Sequence, residues 1–309
     1  MAEAMRGMTT ILGRAGWRTG FACVALLLAA GASQAQELLT GTLAKARASG
    51  AITIGYRESS VPFSFLNTRK EPVGYSIELC RELVTAIGNA VDRTLAIQWE
   101  PVTSDSRFDA VASGKVDLEC GSTTSNLERQ KRVSFSPTIF VSGTKVLVKK
   151  GTPIASFRDL AGRKVAVTAG TTNEKTLRDL SEKFKLGIQL QVARDHAESF
   201  GLVKSGQADA FATDDVLLYG LIAQENAKAD YRVVGDFLSY DPYGIMYRKG
   251  DPQLAKVIND SFQVLAEDGE IERQYKRWFL RKLPTGASLD LPMSAQLETI
   301  IKTMSVKAE

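Results

Sequence analysis

The sequence predicts an α/β fold built from two similar lobes. Strand-like and helix-like segments alternate along most of the chain, and such alternation is typical of largely parallel sheets flanked by helices. Residues 108–117 also align with residues 200–209 at an offset of 92 positions, and both stretches place Ser-Gly-x-x-Asp after a helical pattern. A chance match of so short a pattern is the alternative. We expect two Rossmann-like lobes joined by two crossovers of the chain.

The first 35 residues have the pattern of an export signal. Basic residues precede an apolar run over residues 21–30, and Ser33-Gln34-Ala35 forms a small-x-small cleavage site. The apolar run is too short to span a bilayer. We therefore expect an exported, soluble chain that begins near Gln36.

Length and charge limit the class of protein. Of 309 residues, 274 follow the predicted signal, which suits two domains that each have a core. Removal of three basic residues and one acidic residue takes the formal charge from +4 to +2, so nothing indicates nucleic-acid binding. Cys80 and Cys120 remain, and either a disulfide or two buried thiols fits the sequence.

The elements follow in order from hydrophobic periodicity. The first series is a strand, helix, strand, helix and strand over residues 51–56, 75–90, 95–102, 106–113 and 116–120. A strand over residues 145–149 follows, and a second series then begins, a strand, helix, strand, helix and strand over residues 164–168, 172–184, 189–193, 198–205 and 208–212. Residues 139–148 and 243–248 are the predicted crossovers, and the amphipathic stretch 252–279 completes the first lobe. The resulting boundaries are a signal, first lobe, second lobe, return to the first lobe and C-terminal strut over residues 1–35, 36–143, 144–242, 243–283 and 284–309.

Residues 119–130 carry the strongest single indication of a ligand site. An apolar alternating run stops at Gly121, and hydroxyl residues follow where a helix is predicted to begin. Backbone N–H groups at a helix start have no intrahelical partner and lie at the positive end of the helix dipole. Residues 121–126 would therefore present donors to a carboxylate, with Arg129 in reach of a bidentate contact. An ordinary capped helix is the alternative.

The internal repeat extends this argument to the second lobe. The offset of 92 sets Ser104 opposite His196 and Ser122 opposite Asp214, so polar residues occupy equivalent strand ends. Ligands of open α/β sheets bind at the carboxyl ends of strands. Two facing lobes would therefore enclose a ligand in a cleft.

Six short motifs spread over nearly the whole mature chain carry a family resemblance. They are Gly55-Tyr-Arg-Glu-Ser-Ser-Val-Pro-Phe-Ser64, Val73-Gly-Tyr-Ser76, Glu119-Cys-Gly-Ser-Thr-Thr-Ser-Asn-Leu-Glu-Arg-Gln130, Ala169-Gly-Thr-Thr-Asn-Glu174, Asp195-His196 and Thr213-Asp-Asp215. With them the chain resembles the periplasmic solute-binding proteins of the polar amino-acid ABC importers, above all the glutamate/aspartate-binding branch. The resemblance implies a type II periplasmic binding-protein architecture, a monomer in the periplasm, L-glutamate or L-aspartate as ligand, an inner-membrane ABC permease as partner, and no cofactor.

The resemblance also implies roles for individual residues at the amino-acid end of the ligand. Arg129, the backbone of Thr124, and Thr172 would hold the α-carboxylate. Asp214 and Ser122 would hold the α-ammonium. Thr172 lies between a strand and a helix, so each lobe would supply one helix N-terminus for the carboxylate.

By the same resemblance, Arg57, Ser104, Arg107 and His196 would take the side-chain carboxylate. Since one arginine and one aspartate neutralise a zwitterion, Arg57 and Arg107 would need a further anion, which a dicarboxylic amino acid brings. Exposed arginines that pair with neighbouring carboxylates are the alternative. An adjacent anion would also favour the charged form of His196, the only histidine.

Two further expectations follow. Relatives tend to carry a cysteine where this chain has Tyr243-Gly-Ile-Met246, which leaves Cys80 as the remaining partner for Cys120. We expect no metal site and no enzyme, since a single histidine does not support a zinc site and no Gly-x-Ser-x-Gly turn occurs. The alternative is a lyase or dehydratase acting on an amino-acid-like substrate, with Glu58 or Glu174 as proton donor.

Overall fold

The computed structural model describes residues 38–306, so the predicted signal and its cleavage site lie outside the described residues. The strands are β1 (Ala51–Tyr56), β2 (Ser59–Ser60), β3 (Ser64–Leu66), β4 (Pro72–Val73), β5 (Ala96–Pro101), β6 (Leu118–Glu119), β7 (Val133–Phe135), β8 (Phe140–Ser142), β9 (Thr144–Lys149), β10 (Lys164–Thr168), β11 (Gln189–Ala193), β12 (Ala210–Asp214), β13 (Tyr231–Val234), β14 (Asp241–Tyr243) and β15 (Met246–Arg248). The α-helices are α1 (Gly41–Ser49), α2 (Tyr75–Ala90), α3 (Arg107–Ala112), α4 (Thr172–Lys183), α5 (His196–Ser205), α6 (Asp215–Gln224), α7 (Pro252–Glu267), α8 (Glu270–Tyr275) and α9 (Ala295–Met304). Short 3₁₀ turns cover Arg129–Lys131 and Phe157–Leu160, and a π-helical turn covers Lys276–Leu280.

Two five-stranded sheets share one pattern. Their orders are β5-β1-β6-β15-β7 and β11-β10-β12-β9-β13. In each sheet the first three strands run parallel, and the fourth strand runs antiparallel to both of its neighbours. The prediction of two similar α/β units is confirmed. β6 and β12 hold the third place in their sheets, and their first residues, 118 and 210, differ by the offset of the repeat.

Two short antiparallel strands connect the sheets. β8 carries the chain from β7 to β9, and β14 carries it back from β13 to β15. Asp241 pairs with Ser142, and Tyr243 pairs with Phe140. The prediction that residues 243–248 form the second crossover is wrong in part, because the buried Met246 begins a strand that inserts between β6 and β7.

Helix caps place α4 and α5 directly after strands of the second sheet. Thr171 accepts a hydrogen bond from the Glu174 N–H, and Asp195 accepts one from the Glu198 N–H. Both helices therefore begin at the carboxyl ends of β10 and β11.

The segment after β6 is a loop, and the prediction that a helix begins within residues 121–126 is wrong. Its backbone pairs with the second crossover instead of with itself. The Ser125 N–H donates to the Pro242 carbonyl over 2.7 Å, and the Gly244 N–H donates to the Thr123 carbonyl over 3.1 Å. These bonds satisfy backbone groups that a helix would have paired internally.

The core lies against the sheets and around the crossovers. Phe63 packs edge-on against Phe140 of β8 and Tyr243 of β14, with ring centroids 5.0 and 5.1 Å apart. α9, the C-terminal helix expected near residues 295–304, buries Leu297 and Ile301 in the core of the first sheet.

A disulfide joins Cys80 of α2 to Cys120, the residue after β6. The alternative of two buried free thiols is therefore wrong. The bond ties the loop that follows β6 to the helix behind the first sheet. Within residues 38–306, no helix is both long enough and apolar enough to cross a membrane.

Candidate ligand-binding site

Residues that lie at or just after the ends of strands in both sheets line one small cavity of about 10 Å³. The lining residues are Ser104, Arg107, Ser122, Thr124, Thr171, Thr172, Asn173, His196, Asp214 and Leu217. Seven of the nine residues predicted to bind ligand are among them. Arg129 lines an adjoining pocket that shares Ser104, Thr171 and Thr172 with the cavity. The two residue pairs matched by the repeat, Ser104 with His196 and Ser122 with Asp214, all reach this one cavity.

Arg129 spans the two sides of the cleft. Its Nη1 donates to the Thr124 carbonyl over 3.0 Å, and its Nη2 donates to the Gly170 carbonyl over 3.1 Å. The guanidinium carbon lies 5.0 Å from the centre of the Phe108 ring. Burial, reinforced by the charge of Arg107, lowers the pKa of Arg129 to about 9, so the side chain remains a cation at neutral pH.

Gly170 permits the close approach of the two sides. Its φ of +72° lies in the left-handed region, and a Cβ atom there would lie 2.7 Å from the Asp105 Cα. That contact is with backbone, which a side-chain rotation does not relieve. Only glycine satisfies both conditions without a shift of the loops.

Asp241, which no sequence motif singled out, joins the two threonines of the site. Its Oδ1 accepts hydrogen bonds from the Oγ1 of Thr172 over 2.8 Å and from the Oγ1 of Thr124 over 3.1 Å. Since each hydroxyl has one proton, neither can donate to a ligand carboxylate in this arrangement. Such a carboxylate would be held by Arg129 and by backbone N–H groups, among them that of Thr172 in the first turn of α4.

Asp214 is the acidic centre of the cavity. Its carboxylate accepts from Asn173 Nδ2 over 2.8 Å and from the Tyr243 hydroxyl. Burial, followed by the charge of Asp241, raises the pKa of Asp214 to about 7. An ammonium group beside Asp214 would favour the ionised carboxylate.

The two arginines predicted to hold the side-chain carboxylate are both buried; Arg107 lines the cavity, whereas Arg57 is not among its lining residues. Arg57 is 1% exposed and Arg107 is 2% exposed, so the alternative of surface arginines is wrong. Among the described residues, Nη1 and Nη2 of Arg57 and Nε of Arg107 have no hydrogen-bond partner. The buried hydroxyls of Ser104 and Ser122 also have no hydrogen-bond partner among the described residues. Buried guanidinium donors without partners are costly, and an anion placed among them would satisfy them.

Glu119 is an electrostatic partner of the buried arginines that the sequence analysis did not identify. It is fully buried, and its Oε2 accepts from Thr123 Oγ1 over 2.6 Å. Thr123 Oγ1 in turn accepts from Arg107 Nη1 over 2.7 Å. Glu119 therefore offsets one of the two positive charges of Arg57 and Arg107. The sequence alone indicated two uncompensated positive charges, and the structure reduces that number to one. The alternating strand pattern did not indicate its burial, since it places Glu119 on the face opposite to Leu118 and Cys120.

His196 is buried and neutral. Its Nδ1 lies 2.9 Å from Thr168 Oγ1. Burial first, then the charges of Arg57 and Arg107, hold its pKa well below the usual range. The predicted imidazolium depends on a bound anion beside the ring, so it stays a prediction.

This fold and cavity define a two-lobed binding protein of the type II periplasmic architecture. A family model for bacterial extracellular solute-binding proteins, family 3, matches residues 52–281, and the chain belongs to that family. An L-glutamate/L-aspartate-binding protein of Pseudomonas aeruginosa is 42% identical over 93% of this chain and 95% of its own length. A glutamate/aspartate import solute-binding protein of Escherichia coli is 38% identical over 93% of this chain and 97% of its own length.

Solved structures agree on the fold. An ancestral amino acid-binding protein, a precursor of cyclohexadienyl dehydratase, superimposes with a TM-score of 0.66 and 32% identity. The match covers 77% of this chain and 99% of that protein.

Proposed function

We propose that this chain is the binding component of an ABC importer and captures L-glutamate and L-aspartate. The observation that carries the proposal is the pair of buried arginines, Arg57 and Arg107: among the described residues, Nη1 and Nη2 of Arg57 and Nε of Arg107 have no hydrogen-bond partner. A distal carboxylate satisfies them, whereas a neutral amide leaves charge unpaired. The names of the relatives from Pseudomonas and Escherichia support the same ligands.

The amino-acid end of the ligand is assigned to the remaining residues. Arg129 and the N–H of Thr172 hold the α-carboxylate, together with the backbone of Thr124. Asp214 and Ser122 receive the α-ammonium. Ser104 and His196 join the two distal arginines, with His196 in its neutral form.

Binding closes two lobes about the crossovers. We assign residues 36–143 and 243–283 to the first lobe, 144–242 to the second, and 284–309 to a strut beside the hinge. The cavity is lined from both sheets by largely buried side chains, so a ligand reaches it only if the lobes separate. Paired strands at the crossovers suit a hinge, since few residues absorb the rotation.

The chain acts outside the inner membrane, as a monomer delivered by the signal over residues 1–35, and passes its ligand to an inner-membrane permease. We assign it no catalytic role. Glu58 is exposed. Glu174 accepts from the Gly170 N–H over 3.1 Å and pairs with Arg178 over 2.8 Å. Neither carboxylate lines the enclosed cavity.

Calorimetry of the mature chain tests the proposal, after unfolding and refolding to remove copurified ligand. We expect one molecule of glutamate or aspartate per chain, with dissociation constants of about 1 μM or tighter, equivalent to about −8 kcal/mol. Glutamine and asparagine are the matched neutral ligands and should bind far more weakly. Equal affinities for glutamate and glutamine would refute the assignment.

A further inference from the structure

We propose that Asp241, on the second crossover strand, is a clamp that holds the cleft closed by binding one threonine hydroxyl from each side of it. Only the glutamate-binding part of its test rests on the proposed function; the other part uses ligand-free protein. Asp241 is 1% exposed and belongs to β14, which connects the two sheets. Its printed side-chain hydrogen bonds go to Thr124, Thr172 and Ser239 and to none of the three arginines, and it is not one of the nine predicted ligand residues.

Two bonds to one oxygen make the clamp. Thr124 follows β6 of the first sheet, and Thr172 begins α4 of the second. Their hydroxyls lie 3.4 Å apart, and both donate to Oδ1 of Asp241. Separation of the two sides must break at least one of these charge-assisted bonds, since both threonines cannot follow one aspartate in opposite directions.

The rest of the Asp241 carboxylate is anchored to the crossovers. Oδ2 accepts from the Ser239 hydroxyl, and Ser239 Oγ in turn accepts from the Thr144 N–H over 2.9 Å. Backbone pairing of Asp241 with Ser142 fixes the strand itself. Thr144 begins β9 of the second sheet, so the carboxylate is tied to the second side, and Thr124 of the first side meets it on closure.

The clamp also fixes the side-chain orientation of the two threonines before a ligand binds. With both hydroxyl protons directed at Asp241, each threonine side chain is held in one rotamer, beside the Thr124 carbonyl to which Arg129 donates. Asp241 is therefore a positioning residue, which acts on ligand through Thr124 and Thr172.

Asp241 further sets the charge state of Asp214. The groups that surround Asp214 are Asn173 and Tyr243, which bond to it, the carboxylates Asp215 and Asp241, and the guanidinium groups of Arg107 and Arg129 on the opposite side. Removal of the Asp241 charge lowers the pKa of Asp214, since Asp241 raises it.

Three variants test the clamp. Asp241→Ala removes the acceptor, Asp241→Asn keeps Oδ1 and removes the charge, and the exposed Asp236→Asn in the preceding segment is the matched charge control. Spin labels at cysteines in place of the exposed Ala112 of α3 and Asp179 of α4 report the width of the cleft by pulsed electron spin resonance. Thermal melting of each variant confirms that it is folded.

In ligand-free protein we expect a short-distance population whose ratio to the open population falls about tenfold or more in Asp241→Ala. Asp236→Asn should retain it, and Asp241→Asn, which keeps the acceptor oxygen without its charge, should give a ratio between those of the wild type and Asp241→Ala. A wild type without any closed population, or an Asp241→Ala distribution identical to that of the wild type, would overturn the clamp. This arm uses no ligand, so its result does not depend on whether glutamate is the ligand.

With glutamate, Asp241→Ala should bind about tenfold more weakly or worse, and Asp236→Asn should bind as the wild type. Asp241→Asn should shift the midpoint of the pH dependence of binding to lower pH, a change that loss of packing alone would not produce. An unchanged midpoint in Asp241→Asn would contradict the role of its charge. Failure of the wild type to bind glutamate would instead refute the proposed ligand and leave the result of the ligand-free arm in force.

Discussion

Arg129 and Gly170 are joined by a hydrogen bond of 3.1 Å from the guanidinium Nη2 to the carbonyl oxygen, across the cleft between the two sheets. The guanidinium that we assign to the ligand's α-carboxylate thus also bonds the opposite side of the cleft. The absence of a side chain at Gly170 allows its carbonyl to come within hydrogen-bond distance of Arg129. Its missing side chain and positive φ bring the loop after β10 against Asp105.

Replacement of Arg129 by lysine should weaken every amino-acid ligand. A single ammonium cannot reproduce the fork geometry toward a carboxylate while it also bonds the Thr124 and Gly170 carbonyls. We expect a loss of several kcal/mol in binding, with the glutamate-to-glutamine preference retained. Calorimetry with both ligands measures it, and wild-type affinity in Arg129→Lys would remove the residue from the site.

Gly170→Ala should impair closure. Its Cβ would lie 2.7 Å from the Asp105 Cα, so the cleft cannot close fully and all ligands should bind more weakly. Gly162→Ala is the matched control, because Gly162 has a φ of +71° but no neighbouring atom within 4 Å of the position that a Cβ would take. Both should lose about 1 kcal/mol of stability from the strained backbone. Equal ligand affinities in the two variants would contradict this role of Gly170.

Arg57→Met should reduce the preference of the protein for glutamate over glutamine. Loss of the buried charge removes the partner of the distal carboxylate, so glutamate affinity should fall by several kcal/mol and glutamine affinity much less. The ligand-free variant should be at least as stable as the wild type, since an unpaired buried cation is replaced by an apolar chain of similar length. Arg281→Met, at an exposed position, controls for net charge. An intact preference for glutamate in Arg57→Met would show that the distal subsite is elsewhere.

Binding should depend on pH through Asp214. The pKa of its carboxyl is raised to about 7, and an ammonium ligand requires the ionised form, so affinity should rise as the pH increases through about 7 and then level off. Binding at pH 7 should release a fraction of a proton. Calorimetry in buffers of different ionisation enthalpy measures that fraction. Asp214→Asn should bind weakly with no such dependence, and proton uptake by the wild type would refute the assignment.

The disulfide should contribute substantially to stability. Cys80 and Cys120 are 40 residues apart, and closure of such a loop in the unfolded chain corresponds to about 4 kcal/mol. A reducing agent should lower the melting temperature of the wild type. It should have no effect on Cys80→Ser/Cys120→Ser, which serves as the control. An unchanged melting temperature of the wild type after confirmed reduction would contradict a stabilising role of the bond.

The fold could be predicted because it depends on repeated local signals. Alternating strand and helix patterns gave the order of elements, and the offset of 92 placed β6 and β12 in equivalent positions. Glu119 and Asp241 escaped notice because their importance depends on distant partners. Asp241 stands in an Asp-Pro pair that is typical of a turn, and only the fold brings Thr124 and Thr172 to it.

The prediction of a helix after Gly121 is wrong for a related reason. Hydroxyl residues before an arginine-containing segment are typical of a capped helix, but the backbone here pairs with β14, more than a hundred residues later in the chain. A long-range strand contact outweighed the local capping signal. The roles of the nine predicted ligand residues remain proposals, although the structure brings their side chains to one region.

The position of β15 late in the chain bears on the order in which we expect the two sheets to fold. The second sheet forms from one continuous stretch, residues 144–234, whereas the first sheet keeps a gap between β6 and β7 until Met246–Arg248 is available. The loop that carries Thr124 likewise depends on Pro242 for its backbone partner. We expect amide hydrogens of the second sheet to gain protection from exchange first, because its contacts are more local. The binding cleft is then the last part of the chain to mature.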